Sequence, residues 1–311
     1  MPQKFRLFFL TLGSLGLYIL LSGTGIFLLL GIAGLAYVAL LFPYPGRWLV
    51  LLTLLPLFFY KYGQGWGMGQ SALALPAGLS FYTFQCLAFS LQFRAAERPP
   101  VSLYLLYVAF FPQVVAGPIL SPPYFGRLMQ FLRSRFRASR FDRGLLLLAS
   151  GAAKKTLGDS LGGVADPIFA ALGQSSVGEL ALGLFAFSGR IYLDFSGYSD
   201  LALGLGLLFG IRLPDNFRFP YHSTSLGQFW RSWHITLGAF LKHFLYIPLG
   251  GNRISAPREY AAIFVTFALG GLWHGAGWLF LCWGALHGFF LVLERFVRRT
   301  FPRFPGAIRP L

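Results

Sequence analysis

Long runs without charged residues, broken by short polar clusters, set the pattern of this chain. No Asp, Glu, Lys or Arg occurs in residues 7–46, 62–93, 99–126 or 260–293. A helix that spans a membrane needs about 20 predominantly apolar residues. A soluble domain would need charged surface between its core segments. The pattern therefore predicts an all-α, multi-pass membrane protein with about eight to ten membrane helices.

The first five apolar segments differ in their capacity to span a bilayer, and residues 71–93 are predicted to form a full span. Residues 7–21 and 26–42 are predicted to form a helical hairpin, whereas 48–60 is short and contains a proline. Residues 101–119 carry two prolines, which interrupt helices. Irregular backbone is tolerated at membrane depth when protein or a water-filled cavity surrounds it. We therefore expect 48–60 or 101–119 to enter the membrane and return.

The charge distribution also indicates a membrane protein. The net charge is +16, although charged residues make up only 12% of the chain. In a soluble protein such an excess would suggest a nucleic-acid partner. Here the cations lie between apolar segments, so the positive-inside rule applies and no nucleic-acid partner is expected.

Two arginine clusters are predicted to lie on the cytoplasmic side, where they can also hold anionic lipid or attract an anionic donor. The members in the central loop are Arg127, Arg133, Arg135, Arg137, Arg140 and Arg143, and those in the C-terminal tail are Arg295, Arg298, Arg299, Arg303 and Arg309. Counting every earlier segment as a full crossing would place the central loop outside. The charge rule therefore favours a returning segment.

Charged residues also interrupt the apolar run from 179 to 210. Arg190 and Asp194 are four residues apart, as are Ser196 and Asp200, so each pair shares a helix face. Charges inside a membrane are costly and usually face the bundle interior or a cavity. Two interpretations remain open: ion pairs that hold helices together, or one wall of a polar cavity.

Two histidine-bearing motifs concentrate the polar chemistry. In residues 229–234, Phe-Trp-Arg-Ser-Trp-His, Trp230 and His234 share a helix face. His274 lies in Gly-Gly-Leu-Trp-His-Gly-Ala-Gly-Trp, where Gly271 and Gly275 form a GxxxG pattern that lets another backbone approach. His274 is therefore expected to be crowded and poorly hydrated. A lone membrane histidine is more often a packing residue than a catalyst.

A third histidine, His287, is predicted to be structural. It lies within a second GxxxG pattern formed by Gly284 and Gly288. On one continuous helix His274 and His287 would lie about 140° apart around the axis, so they should not act as a pair.

Several kinds of site are excluded by their missing motifs. The chain has no H-E-x-x-H motif, Cys/His cluster or EF-hand loop, so no bound metal is expected. It has no G-x-S-x-G elbow for a serine nucleophile. Histidine remains, and its unperturbed pKa of about 6.5 suits proton abstraction near neutral pH.

Several long motifs, in order, resemble the membrane-bound O-acyltransferase family, and most closely its bacterial branch of alginate O-acetyltransferases. The matching segments are Leu75–Gln85, Phe110–Ile119, Gly151–Asp159, Ile191–Asp200, Leu213–Phe217, Ser223–Gly251 and Gly270–Gly288. The resemblance implies membrane helices around a central tunnel, a 71–294 catalytic core, N-terminal membrane helices in 1–70 and a basic tail in 295–311. It also implies a bacterial inner-membrane location.

The resemblance also implies the reaction. An acyl group, acetyl above all, passes from a cytoplasmic thioester such as acetyl-CoA to hydroxyls of an exported polysaccharide, directly or through a periplasmic acyltransferase partner. No tightly bound cofactor is expected. His274 and His234 match the family's two histidines and are predicted to be catalytic. The predicted substrate-binding residues are Trp230, Arg231, Asp194, Ser196, Tyr198 and Trp273.

Three other functions remain open. The nearest within the family is D-alanyl transfer toward teichoic acid. A transporter or proton channel could use the same buried polar residues. Relatives are commonly longer at both ends, so a truncated and catalytically inactive scaffold is the third alternative.

Overall fold

The computed structural model describes residues 3–42, 46–63, 75–92, 98–121, 124, 128 and 137–301. Eleven α-helices and no β-strand are found among these residues, which confirms the all-α prediction. In chain order the helices are α1 (Gln3–Ser22), α2 (Gly25–Ala39), α3 (Leu54–Tyr62), α4 (Leu79–Gln92), α5 (Val101–Ala109), α6 (Ala138–Ala170), α7 (Val177–Leu208), α8 (Leu226–Ser232), α9 (Ile235–Leu241), α10 (Ala256–His274) and α11 (Trp278–Thr300).

Two of the described helical segments are long and apolar enough to cross a membrane, Lys4–Ser22 and Trp278–Thr300. The two doubtful apolar segments contain only short helices. A 3₁₀-helix over Gly46–Thr53 precedes α3, and α5 ends at Ala109. A nine-residue helix is about 14 Å long, well short of a hydrocarbon core of about 30 Å. The number of membrane crossings stays a prediction.

The chain divides into two compact units. The first comprises Met1–Ile26 and Pro99–Asp215, and the second comprises Phe27–Arg98 and Asn216–Leu311. The segment boundaries inferred from the resemblance, at residues 70 and 294, stay a prediction.

An antiparallel pair, α6 and α7, dominates the first unit. The apolar segment at 144–153 and the glycine-rich run after it form one helix of 33 residues. Small residues recur along it every seven positions, at Gly144, Gly151, Gly158 and Ala165, and all four are buried. A seven-residue repeat keeps one face of a helix against its partner.

Glycine permits the two backbones to approach closely. A Cβ atom built on Gly151 would lie 2.7 Å from the carbonyl oxygen of Gly197. One built on Gly204 would lie 2.8 Å from the carbonyl oxygen of Gly144. Because real Cβ atoms essentially never come so close, any larger residue would push the helices apart.

Ion pairs join the same two helices. Lys154 lies 2.7 Å from Asp200, and Lys155 lies 2.7 Å from Asp194. These pairs confirm the interpretation that the charges within 179–210 hold helices together.

The predicted pairing of Arg190 with Asp194 is wrong. Arg190 instead donates to Asp166 on α6, at 2.6 Å. Gly162 leaves the room for this, because a Cβ there would lie 3.0 Å from the guanidinium carbon of Arg190. The opposing helix therefore supplies a nearer partner than the next turn of α7.

In the second unit, α10 and α11 form another glycine-lined hairpin. A Cβ on Gly271 would lie 2.9 Å from the Cα of Gly284, and one on Gly288 would lie 3.1 Å from the Cα of Phe264. The expected close approach of another backbone is confirmed at Gly271, Gly284 and Gly288, whereas Gly275 packs against the ring of Phe280.

A buried carboxylate holds the other end of this hairpin. Glu259 at the start of α10 is fully buried, and it accepts hydrogen bonds from Arg299 at 2.5 Å and from the Tyr246 hydroxyl at 2.9 Å. Arg295 pairs with the same carboxylate. Burial and the hydrogen bond to Glu259 raise the pKa of Tyr246 to about 12, so its hydroxyl remains a donor at neutral pH.

The glycine contacts in the first unit predict a position-specific loss of stability. Gly151→Val should lower the midpoint of thermal unfolding in detergent by about 5 °C, because overpacking costs about 1–3 kcal/mol. Gly163→Val is the matched control, since nothing lies within 4 Å of a Cβ on that residue of the same helix. Equal midpoints for the two variants would contradict the close approach of α6 and α7.

Candidate active site

His234 has an unusual backbone conformation. It lies between α8 and α9 with φ 43° and ψ 54°, and its side chain is only 3% exposed. Residues other than glycine rarely adopt the left-handed region, which costs roughly 1–2 kcal/mol. Such strain persists only where the surroundings hold the residue in place.

Asn216 is the residue that holds His234. Its buried side-chain oxygen Oδ1 lies 3.1 Å from the Nδ1 atom of His234. The same oxygen accepts from the backbone N–H of Thr236 at 3.2 Å and from its hydroxyl at 3.0 Å. The backbone carbonyl of Asn216 accepts from the N–H of Ile235 at 2.9 Å.

This network fixes the tautomer of a neutral His234. The N–H of Thr236 can only donate, so the side-chain atom of Asn216 that it meets must be the acceptor oxygen. His234 must therefore donate from Nδ1 to that oxygen. Its Nε2 atom then carries the lone pair and can only accept a proton or a hydrogen bond.

Aromatic rings surround His234. Phe81, on α4, is stacked with its ring at a centroid distance of 6.2 Å. The indole of Trp273 lies at the same centroid distance, tilted by 62°. Phe84 in turn stacks on Trp273 at 5.8 Å. These rings confine the imidazole to one orientation.

His274 ends helix α10. Gly275 after it is extended, with φ −172°, and α11 begins three residues later at Trp278. The imidazole lies 4.5 Å from the ring of Trp273 and 5.3 Å from that of Trp283. The expectation that His274 is crowded and poorly hydrated is met only in part, because two indoles flank the ring but the residue is exposed at the helix end.

The two predicted catalytic histidines share a neighbour. The indole of Trp273 contacts the ring of His234 and the ring of His274. Residues 40 positions apart in the chain are thus brought to a single side chain, itself a predicted substrate-binding residue. The catalytic role of the pair stays a prediction.

Two residues next to this site were missed from the sequence. Lys61 donates from Nζ to the carbonyl of Trp273, and the ammonium lies 5.1 Å from the centroid of its ring. Tyr62 donates from its hydroxyl to the carbonyl of Leu272 at 2.7 Å. Both satisfy carbonyl groups at the C-terminal end of α10, where a cation is favourable. No sequence signal links positions some 210 residues apart.

Trp230 belongs to the same aromatic group. Its ring lies 5.9 Å from that of Trp283 and 5.0 Å from that of His287. The carboxylate of Glu294 accepts from the N–H of Gly227 at 3.0 Å, which ties α8 to α11.

The indole N–H groups of Trp230 and Trp273 are buried, and neither has a hydrogen-bond acceptor among the described residues. Buried indoles usually find one. Two hydrogen-bond donors are therefore present beside the histidines.

The angular argument that separated His287 from His274 is wrong. The break at Gly275 places the two histidines on different helices, α10 and α11. The ring of Trp283 lies 5.3 Å from His274 and 4.8 Å from His287. Whether His287 is purely structural stays a prediction.

The remaining predicted substrate-binding residues belong to α7 and α8. Arg231 is exposed on α8, whereas Asp194, Ser196 and Tyr198 lie on α7 in the first unit. Ser196 is buried, and its hydroxyl has no partner within the part of the chain that the structure describes. In the same part, no group of three or more His, Cys, Asp or Glu side chains could hold a metal.

Comparison with known proteins places these residues in a family. The model of the membrane-bound O-acyltransferase family matches residues 167–307, which include both histidines. A probable alginate O-acetylase from Azotobacter vinelandii is 40% identical over 243 residues, covering 77% of this chain and 48% of the relative. The chain belongs to the membrane-bound O-acyltransferase family.

Other membrane-bound O-acyltransferases extend the comparison. A peptidoglycan O-acetyltransferase from Helicobacter pylori is 37% identical over 256 residues, covering 72% of this chain and 48% of the relative. A teichoic acid D-alanyltransferase from Streptococcus thermophilus is 27% identical over 258 residues, covering 78% and 62%. The chain spans about half the length of the alginate and peptidoglycan relatives.

The network around His234 predicts a specific loss of stability. Asn216→Leu keeps the branched shape at Cγ but leaves Nδ1 of His234 and the two donors of Thr236 without their acceptor, which costs about 1–3 kcal/mol per group. The midpoint of thermal unfolding in detergent should fall by about 5 °C or more. The control Asn252→Leu changes an exposed asparagine and should leave it within about 1 °C. A similar midpoint for both variants would argue against the network.

Proposed function

We propose that this chain is a membrane-embedded acyltransferase that moves an acetyl group from a thioester donor to hydroxyls of an exported polysaccharide. The observation that carries the proposal is the contact of His234 and His274 with one indole, that of Trp273. Family membership supports the reaction class, and the shared contact with Trp273 supports the choice of residues.

In the proposed mechanism His274 is the general base. The acceptor hydroxyl attacks the carbonyl carbon of the thioester while its proton passes to the imidazole of His274. The carbon–sulfur bond breaks as the tetrahedral intermediate collapses, and the imidazolium returns the proton to the leaving thiolate. An exposed histidine at a helix end is accessible to an incoming hydroxyl.

His234 has a different task. With Nδ1–H engaged by Asn216, its neutral ring offers only the Nε2 lone pair. It can orient a substrate by accepting a hydrogen bond, but it cannot donate one to an oxyanion. The indole N–H groups of Trp230 and Trp273 are the donors that suit the developing negative charge. In this proposal Arg231 attracts the anionic thioester donor.

The substrates are proposed from chemistry and relatives. The alginate and peptidoglycan relatives are both named for a polysaccharide acceptor. Acetyl-CoA is the simplest thioester donor of an acetyl group. A dry, membrane-crossing tunnel would limit hydrolysis of the thioester. We place the chain in the bacterial inner membrane, in contact with lipid, and infer transfer either directly or through a periplasmic acyltransferase.

The alternative acyl group is D-alanine. The teichoic acid relative is less similar, at 27% identity, than the acetyl-transferring relatives at 37% and 40%. This difference favours acetyl transfer. A labelled D-alanyl donor offered in place of acetyl-CoA distinguishes the two.

The test uses the purified chain in proteoliposomes with radiolabelled acetyl-CoA and alginate or peptidoglycan glycan. His274→Ala should reduce label reaching the glycan by at least about a hundredfold, since a general base contributes about 10²–10⁴. His222→Ala is the control, because His222 is an exposed histidine whose ring stacks on Phe219. Full transfer by His274→Ala would rule out the assignment. Solute flux without covalent label would instead support a transporter. The absence of both labelled glycan and solute flux would support a scaffold.

A further inference from the structure

A charged cavity lies in the first unit, and none of the residues assigned to acyl transfer lines it. Its volume is about 720 Å³, within the 300–1,000 Å³ typical of ligand sites. Three guanidinium groups and a leucine wall line most of it. The lining residues that matter here are Arg140, Arg143, Arg212, Asp215 and the leucines 147, 203, 207 and 213.

The fold brings these arginines together from two helix ends. Arg140 and Arg143 lie in the first two turns of α6. Helix α7 ends at Leu208, and two residues later Gly210 adopts the left-handed region, φ 76°. The N–H of Ile211 donates to the carbonyl of Gly206 at 2.7 Å. This glycine termination reverses the chain, so that Arg212 lies beside the start of α6.

The cavity has a net positive charge. Three guanidinium groups stand against one carboxylate, that of Asp215. Arg143 and Arg212 form no ion pair with any residue that the structure describes. The dipoles of the antiparallel helices α6 and α7 largely offset each other here, so the side chains decide the sign.

The N-terminal helix adds a cation at the same end of the unit. Arg6 on α1 donates to the carbonyl of Phe209, the residue before Gly210. The cations at the start of the chain and those at the start of α6 therefore lie together. The positive-inside rule expects both groups on the cytoplasmic side.

Four leucines make the other wall apolar. Leu147 belongs to α6, Leu203 and Leu207 belong to α7, and Leu213 is buried in the segment after it. A simple inorganic anion would leave this wall uncovered. An amphiphile would place a charged group against the arginines and a chain against the leucines.

We propose that this cavity binds the phosphate-bearing end of an anionic amphiphile, with the phosphate between Arg143 and Arg212. Arginine suits phosphate because its planar donors form charge-assisted, bidentate hydrogen bonds. Two molecules share this chemistry: an anionic phospholipid, and the nucleotide phosphates of an acyl-CoA donor. The second source rests on the proposed function, and the first does not.

Native mass spectrometry of the purified full chain tests the site without measuring transfer. The chain is titrated separately with palmitoyl-oleoyl phosphatidylglycerol, with the zwitterionic phosphatidylcholine of the same chains, and with CoA. The variant is Arg143→Gln/Arg212→Gln. The matched control is Arg253→Gln/Arg258→Gln, which removes two exposed arginines of the second unit.

We expect phosphatidylglycerol or CoA to bind the wild-type chain and the control alike, and the cavity variant at least about tenfold more weakly. Which of the two probes binds identifies the source. Phosphatidylcholine should bind weakly to all three proteins. Equal binding of the anionic probes by the cavity variant and the control would overturn the proposal, as would no preference over phosphatidylcholine. An unchanged thermal midpoint shows that the variant is folded. A wild-type chain that binds an anionic probe but transfers no acetyl group would show that this site and the proposed function are separate.

Discussion

Contact between helix backbones at glycine is the constraint on which both units depend. In the first unit, Gly151 and Gly197 bring α6 against α7 so closely that neither can carry a side chain. In the second, Gly271 and Gly284 do the same for α10 and α11. Apolar side chains gain little from leaving lipid for one another, so close packing has to supply the association that the hydrophobic effect supplies in water. Opposite charges such as Lys154 and Asp200 then add to contacts that glycine has made possible.

The hairpin of α10 and α11 is also what builds the candidate active site. Its tight turn ends α10 at His274 and places Trp283 of α11 against that ring. Because Trp273 precedes His274 directly, its indole can contact His274 and His234 together. At the other end of the hairpin, Glu259 of α10 accepts a hydrogen bond from Arg299 of α11. A change in the glycine contacts would therefore reach the histidines through the backbone.

Much of this could be predicted from the sequence, because helices, GxxxG patterns and histidine motifs are local. The glycines of the α10–α11 hairpin and the two histidines were predicted for that reason, whereas the contact glycines of α6 and α7 were missed. The rest depends on pairs far apart in the chain. Lys61 donates to the carbonyl of Trp273, and Asn216 accepts from His234. Neither contact produces a periodic pattern in the sequence. The helix break at Gly275 was missed since glycine both packs inside helices and ends them.

The division of labour between the histidines follows from their surroundings. A base must lose its own proton before it can take another, and it must meet the hydroxyl it serves. His234 is buried, strained and oriented by Asn216. Its ring therefore cannot turn, and the direction of its Nε2 lone pair is fixed. His274 sits exposed at a helix end between two indoles, with the Lys61 ammonium at the carbonyl of the preceding residue. Partial burial between the indoles, and after it the nearby Lys61 cation, lower the pKa of His274, so the ring is neutral and ready to accept a proton. The fixed ring suits orientation of a substrate, and the accessible, neutral one suits proton abstraction.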